Sequence, residues 1–215
     1  MKKYIVLTIL FALPICAYLF FASGVNNFAK LPTVTQNVPE LPQVTSLSGE
    51  KVLLGEKITI LGFPGKELKK EKGNLFNLQQ KIYNKNRGFE DFQVVMILPK
   101  GLEADAKEVL EELNPLSDMS RWHFVFAEPQ AISEFYVKLN LVGQLNANLA
   151  TSNVFIIDKD RNLRGRKGKN KKGEVEYKEG YNTISAADLH NEMADDVKII
   201  LAEYRLALKK NKRKI

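Results

Sequence analysis

The side chains able to do chemistry are few. The chain holds one cysteine, Cys16, and two histidines, His123 and His190. Cys16 lies inside a charge-free apolar run, so everything after that run lacks a thiol. It can form no disulfide, no thiolate metal site and no cysteine nucleophile. His123 stands between Trp122 and Phe124, in a stretch whose side chains should alternate between faces, and reads as a packed or edge histidine. His190 has no histidine four residues on and reads as a surface residue. Metals draw about three or four ligands from His, Cys or carboxylate, which two distant histidines do not supply. Glu103, Asp105, Glu108, Glu111 and Glu112 read as the solvated face of one helix. Asp158, Asp160 and Asn162 alternate as in a calcium loop, but Leu163 occupies the sixth position, where glycine is needed. There is no phosphate-cradling glycine loop and no Gly-x-Ser-x-Gly, and Ser152 lacks a nearby base. Met96, Met119 and Met193 read as core or loop.

The net charge of +7 is unevenly placed. Residues 161–172 carry seven basic residues and no acid, and 209–215 carry five and no acid. The remainder is net acidic, so the positive charge belongs to two local segments. A patch of Arg164, Arg166, Lys167, Lys169, Lys171 and Lys172 is the candidate binding surface, suited to acidic lipid headgroups or an acidic protein face. The competing explanation is a solvated loop and a frayed tail.

These residues have to be positioned by the elements around them, beginning with the first. Lys2 and Lys3 precede Tyr4 to Ser23, which contains no charged residue. About 20 such residues cross a bilayer core as a helix. The two lysines hold the N-terminus in the cytoplasm, so the rest is placed on the extracytoplasmic, periplasmic side. A cleaved signal peptide is the rival reading, with Ala22-Ser23-Gly24 near a small-x-small site. Lipidation at Cys16 is disfavoured by the bulk of Ile15. The expected organisation is a stub over 1–3, a transmembrane helix over 4–23, an extended Pro-bearing tether over 24–48, one domain over 49–208 and a basic tail over 209–215.

Within the domain, Lys57 to Phe63 reads as a strand closing on a Gly-Phe-Pro-Gly turn. Gly73-Asn74 opens a helix with Leu75, Leu78 and Ile82 on one face, and Gly88 ends it. Phe92 to Leu98 is nearly continuous apolar, as a strand covered on both faces should be. A helix follows through Leu102, Ala106, Val109, Leu110 and Leu113. Trp122 to Ala127 is a strand, and Pro129 opens a helix burying Ile132, Phe135 and Leu139. Val154 to Asp158 and Leu163 to Arg166 form an antiparallel hairpin across a short polar turn. A second hairpin runs through Glu174 to Tyr177. Ser185 and Asp188 form a capping box ahead of a stripe of Leu189, Met193, Val197, Ile200, Tyr204 and Leu208. Parallel crossovers followed by a closing hairpin and helix give the expected fold class: α/β, thioredoxin-like, a mixed sheet flanked by helices behind one N-terminal transmembrane helix.

Over roughly Leu47 to Tyr204 the chain resembles the Sco/SenC family of membrane-anchored copper chaperones and thiol oxidoreductases. Leu61-Gly62-Phe63 resembles the strand end before the family's Cys-x-x-x-Cys, and Asn74-Leu75 with Leu78-Gln79 its following helix. Leu98-Pro99 with Ala104-Asp105 and Val109-Leu110, Trp122-His123-Phe124, and Val154 to Asp158 resemble later family segments. The family's two cysteine ligands fall near Pro64 and Leu68, and its histidine near Ala150. None of these three can ligate copper or exchange disulfides. The resemblance therefore implies a degenerate member without cofactor or catalysis. Its role is binding or accessory, with the membrane and respiratory-oxidase components as partners and no nucleic acid. A copper chaperone or thiol oxidoreductase of the Sco/SenC type, and a structural or lipid-surface protein, are the alternatives.

Overall fold

The computed structural model describes residues 2–23, 30–170 and 172–212. Helix α1 (Lys2–Ser23) has Pro14 inside it. Counted over described residues alone, no helix is long and apolar enough to cross a membrane. Several α1 side chains, Ile5, Thr8 and Phe20 among them, lie outside that description.

The apolar runs form the centre of a sheet. Strands β1 (Thr33–Thr35), β2 (Thr45–Ser46), β3 (Ile58–Phe63), β4 (Phe92–Pro99), β5 (Trp122–Ala127), β6 (Thr151–Ile157) and β7 (Leu163–Arg164) are arranged β1-β7-β6-β3-β4-β5-β2. β3, β4 and β5 are parallel, whereas β6 runs antiparallel to β3 and β7 to β6. Alternation divides the side chains between two cores. Ile58, Ile60, Val94, Met96, Phe124 and Ile156 enter one, and Leu61, Phe63, Val95, Ile97, Val125 and Phe155 the other. Strands β8 (Arg166–Lys169) and β9 (Val175–Lys178) form the second hairpin, a separate two-stranded sheet, and β10 (Tyr181–Asn182) returns to β6.

The first core is covered by α2 (Lys72–Leu78), a π-helical turn (Gln79–Tyr83), α3 (Asn84–Asn86) and α4 (Glu103–Leu113), and by the final helix. That helix starts as a π-helical turn (Asp188–Met193) and continues as α6 (Ala194–Lys212). Its stripe is buried at Leu189, Met193, Val197 and Ile200, while Leu208 lies outside the described side chains. The other core is covered by α5 (Pro129–Lys138), with Pro129 at its start and Ile132 and Phe135 buried. Only half of the capping box forms: Ser185 Oγ accepts the Asp188 N–H at 3.1 Å. The Asp188 carboxylate turns instead to the Asn182 N–H at 2.8 Å and to Lys178.

The expected tether over 24–48 is corrected wherever it is described, from residue 30. β1 pairs with β7 and β2 with β5, so this segment closes both sheet edges. Leu31 and Val38 are buried, and the Val38 N–H donates to Arg161 O at 2.8 Å. The Glu40 carboxylate accepts the N–H groups of Leu54 and Gly55, each at 2.8 Å. A composition that favours extended chain is ordered here by distant polar partners. Residues 30–48 therefore belong to the packed domain, which does not begin at 49.

Candidate functional site

β3 ends on Phe63, and Pro64-Gly65 turns the chain away from the sheet. Gly65 has φ +73°, a conformation that glycine adopts without strain. It is also crowded, since a Cβ there would lie 2.4 Å from Asn148 O and 2.6 Å from Ala150 Cβ. The Lys66 N–H donates to Asn148 O at 2.9 Å, and Asn148 Nδ2 donates to Glu67 Oε2 at 3.0 Å. Lys69 and Lys72 pair with Glu108 at 2.7 Å and Glu112 at 2.5 Å on α4. The segment between β3 and α2 is thus held from two sides.

The fold brings the segments of the three expected ligand positions to one place, with Gly65, next to Pro64, against Ala150. Leu68 is fully buried in the first core. Ala150 closes a turn by donating its N–H to Asn146 Oδ1 at 3.0 Å. A copper ion bound in the Sco manner would need thiolate and imidazole donors here. Pro64, Leu68 and Ala150 offer none, and the contact between Gly65 and Ala150 fills the space between the segments, so the residues present do not fit that ion. Among the described residues, no group of three or more His, Cys, Asp or Glu side chains could hold a metal.

His123 is half-buried on β5, beside a groove of 410 Å³ that Glu50 and Met119 also line. Burial lowers its pKa, with Glu50 acting weakly the other way. His190 is exposed on the final helix. Met96, Met119 and Met193 are buried. Asp158 does not resemble a cation ligand in its surroundings. Its carboxylate accepts the N–H groups of Asp160 and Asn162 and pairs with Arg164 at 2.9 Å.

The expected basic patch divides. Arg164 is buried between Asp158 and Glu203, 2.9 Å from each, and donates to Leu31 O. Arg166 is half-buried and meets Asp196 at 2.8 Å and Glu176 at 3.1 Å. Both leave the exposed surface because strand alternation turns them towards acids of the sheet and the final helix. Lys167, Lys169 and Lys172 are exposed, and Lys171 lies outside the described residues.

Sequence reasoning missed two polar centres. One is the cluster of Arg164, Asp158 and Glu203. The other joins Arg166, Asp196 and Tyr181, whose hydroxyl donates to Asp196 Oδ2 at 2.6 Å. A signal for the first was present, because the turn from β6 to β7 returns Arg164 beside Asp158. Nothing local announced Glu203 or Asp196.

The sequence matches no protein-family model, and no curated protein matches it. Solved structures do match. BsSco, a member of the Sco family of cytochrome c oxidase assembly proteins with an identified disulfide switch, is 12% identical. It superposes with a TM-score of 0.56 over 80% of this chain and 98% of its own. The fold is thioredoxin-like, as in BsSco. A thiol:disulfide interchange protein from Bacteroides sp. shares it with a TM-score of 0.50, 16% identity and coverage of 78% and 91% of the two chains. At these identities the likeness is one of fold, and folds host many functions.

Proposed function

We propose that this chain is a Sco-like domain anchored on the extracytoplasmic side of a membrane, acting by binding rather than by thiol or copper chemistry. One observation carries the reading. The two segments that the Sco resemblance makes ligand-bearing are closed on each other through Gly65 and Ala150, with Pro64, Leu68 and Ala150 in the ligand positions. The anchor is supported by the charge-free run from Tyr4 to Ser23, helical as α1. An accessory role near respiratory-oxidase assembly is supported by the likeness to BsSco, whose family assembles cytochrome c oxidase.

Copper titration of the full chain against a competing Cu(I) chelator tests the reading. No stoichiometric binding tighter than about micromolar is expected, since the exported part has no thiol and its soft thioether donors, Met96, Met119 and Met193, are buried. Tight one-to-one binding would overturn it. Anchoring is tested separately. The chain should stay in the membrane pellet after alkaline carbonate extraction, and protease added to spheroplasts should digest the domain. A mature N-terminus near residue 24 would instead establish a cleaved, soluble protein.

A further inference from the structure

A two-stranded hairpin is only marginally stable alone. The hairpin of β8 and β9 is held from one side. Its inner side chains, Arg166, Glu176 and Lys178, are half-buried. Arg166 and Lys178 engage Asp196, Glu192 and Asp188 of the final helix, and Glu176 pairs with Arg166. The outer face alternates with them. The register sets Lys167 opposite Tyr177 and Lys169 opposite Val175, and all four are exposed. Val175 is 85% exposed, high for an aliphatic side chain, and the Tyr177 ring is 47% exposed with its hydroxyl held by Glu179.

The charge on this face is uncompensated. Lys30, Lys167, Lys169 and Lys172 line a groove of 630 Å³ beside the hairpin. The acids lining it already have partners: Glu176 and Asp196 pair with Arg166, and Asp195 with Lys198. Among the described residues, none of the four lysines has a carboxylate within 4 Å.

From these observations we infer that the outer face of the hairpin, Lys167, Lys169, Lys172, Val175 and Tyr177 with Lys30 beside it, docks on an anionic lipid surface. Cations flanking an exposed aliphatic and an aromatic ring match an interface where headgroups are charged and the layer beneath is apolar. The chain also places the face within reach. Lys30 follows Ser23, the last residue of α1, by seven residues, which span at most about 25 Å. Docking would fix the orientation of the Sco-like domain over the leaflet.

This inference rests on the proposed anchor, and the test separates the two. The full chain carrying Val175→Cys and Cys16→Ser is labelled with an environment-sensitive fluorophore. It is then reconstituted into vesicles of phosphatidylcholine, with or without phosphatidylglycerol. On the anionic vesicles at low salt, the label should shift to the blue and become quenchable by a headgroup-depth nitroxide lipid. Changing Lys167, Lys169 and Lys172 together to Gln should lower the docked-to-undocked ratio on the order of a hundredfold, and high salt should act in the same direction. Equal emission on both vesicles, or a blue shift that survives the triple substitution, overturns the inference. So does a shift produced by an acidic polypeptide but not by lipid. Carbonate resistance on the neutral vesicles reads the anchor alone. A chain that washes off them yet docks on the anionic ones retains the hairpin function and removes the anchor.

Discussion

Arg164 illustrates how a residue of ordinary type acquires an organising role from its surroundings. Its guanidinium serves Asp158, Glu203 and Leu31 O together, tying the sheet, the final helix and the start of the domain. Burial alone would lower its pKa, but the two carboxylates outweigh that and raise it. Removing one partner of such a cluster strands a charge. Arg164→Met should therefore cost about 3–5 kcal/mol in urea unfolding of the full chain. Arg164→Lys should recover only part of the loss, because one ammonium cannot reproduce the planar fork. Tyr136 gives a second prediction. Burial, with Glu179 adding to it, pushes its hydroxyl up to about 12 from 10.0. A raised folded value means stability that is complete below pH 10 and is lost as pH rises through 12. Tyr136→Phe keeps the ring against Phe63 and should unfold like the parent at neutral pH. By pH 12 it should be the more stable of the two, by on the order of 2 kcal/mol. Little of either role was legible in the sequence: the turn after β6 sets Arg164 beside Asp158, but nothing local announced Glu203 or the burial of Tyr136. Arg164 reads as one cation in a basic run because counting charges along a chain ignores which acids the strands bring opposite.

At the scale of elements, periodicity was a sound guide wherever burial was two-sided or striped. The runs Phe92 to Leu98 and Trp122 to Ala127, the Leu189 to Ile200 stripe and Pro129 at the head of α5 all stand as read. It was blind to the π-helical turns at Gln79–Tyr83 and Asp188–Met193, since a single added residue per turn leaves an apolar stripe recognisable. The two turns are packed on each other. The second carries Asp188, whose bonds to Asn182 and Lys178 hold the end of the hairpin. Asp196, about two turns further on, accepts from Arg166 and Tyr181 together. Asp196→Asn keeps the shape but removes the charge, and should cost about 2 kcal/mol, the worth of a hydrogen bond to a charged group. Native-state hydrogen exchange should show the loss unevenly, with amides of 166–178 accelerating more than those of β3 and β4. Uniform acceleration would mean that Asp196 supports the whole core and not the hairpin in particular.

For the molecule as a whole, the decisive segment is 30–48. By composition it reads as a linker: Pro32, Pro39 and Pro42 stand among Thr, Asn and Gln, and its strands are only three and two residues long. Short strands carry too little periodicity to be recognised, and the forces that order them are remote in sequence. Arg164 holds Leu31, Glu40 holds the loop before β3, and β1 and β2 cover the two ends of the sheet. Uncovered strand edges are templates for association between chains. A chain shortened to begin at residue 49 would expose β7 and β5, open the core around Val38 and leave Arg164 without a carbonyl partner. It should fail to give a cooperative, monomeric unfolding transition, and should associate through its edges. A chain beginning at residue 30 keeps every one of these contacts and should unfold with the same midpoint as the longer protein in detergent. Calorimetry and size-exclusion chromatography of the two shortened chains side by side check this. Cooperative, monomeric unfolding of the chain from 49 would return residues 30–48 to the status of a tether and leave the sheet edges to be protected by something else.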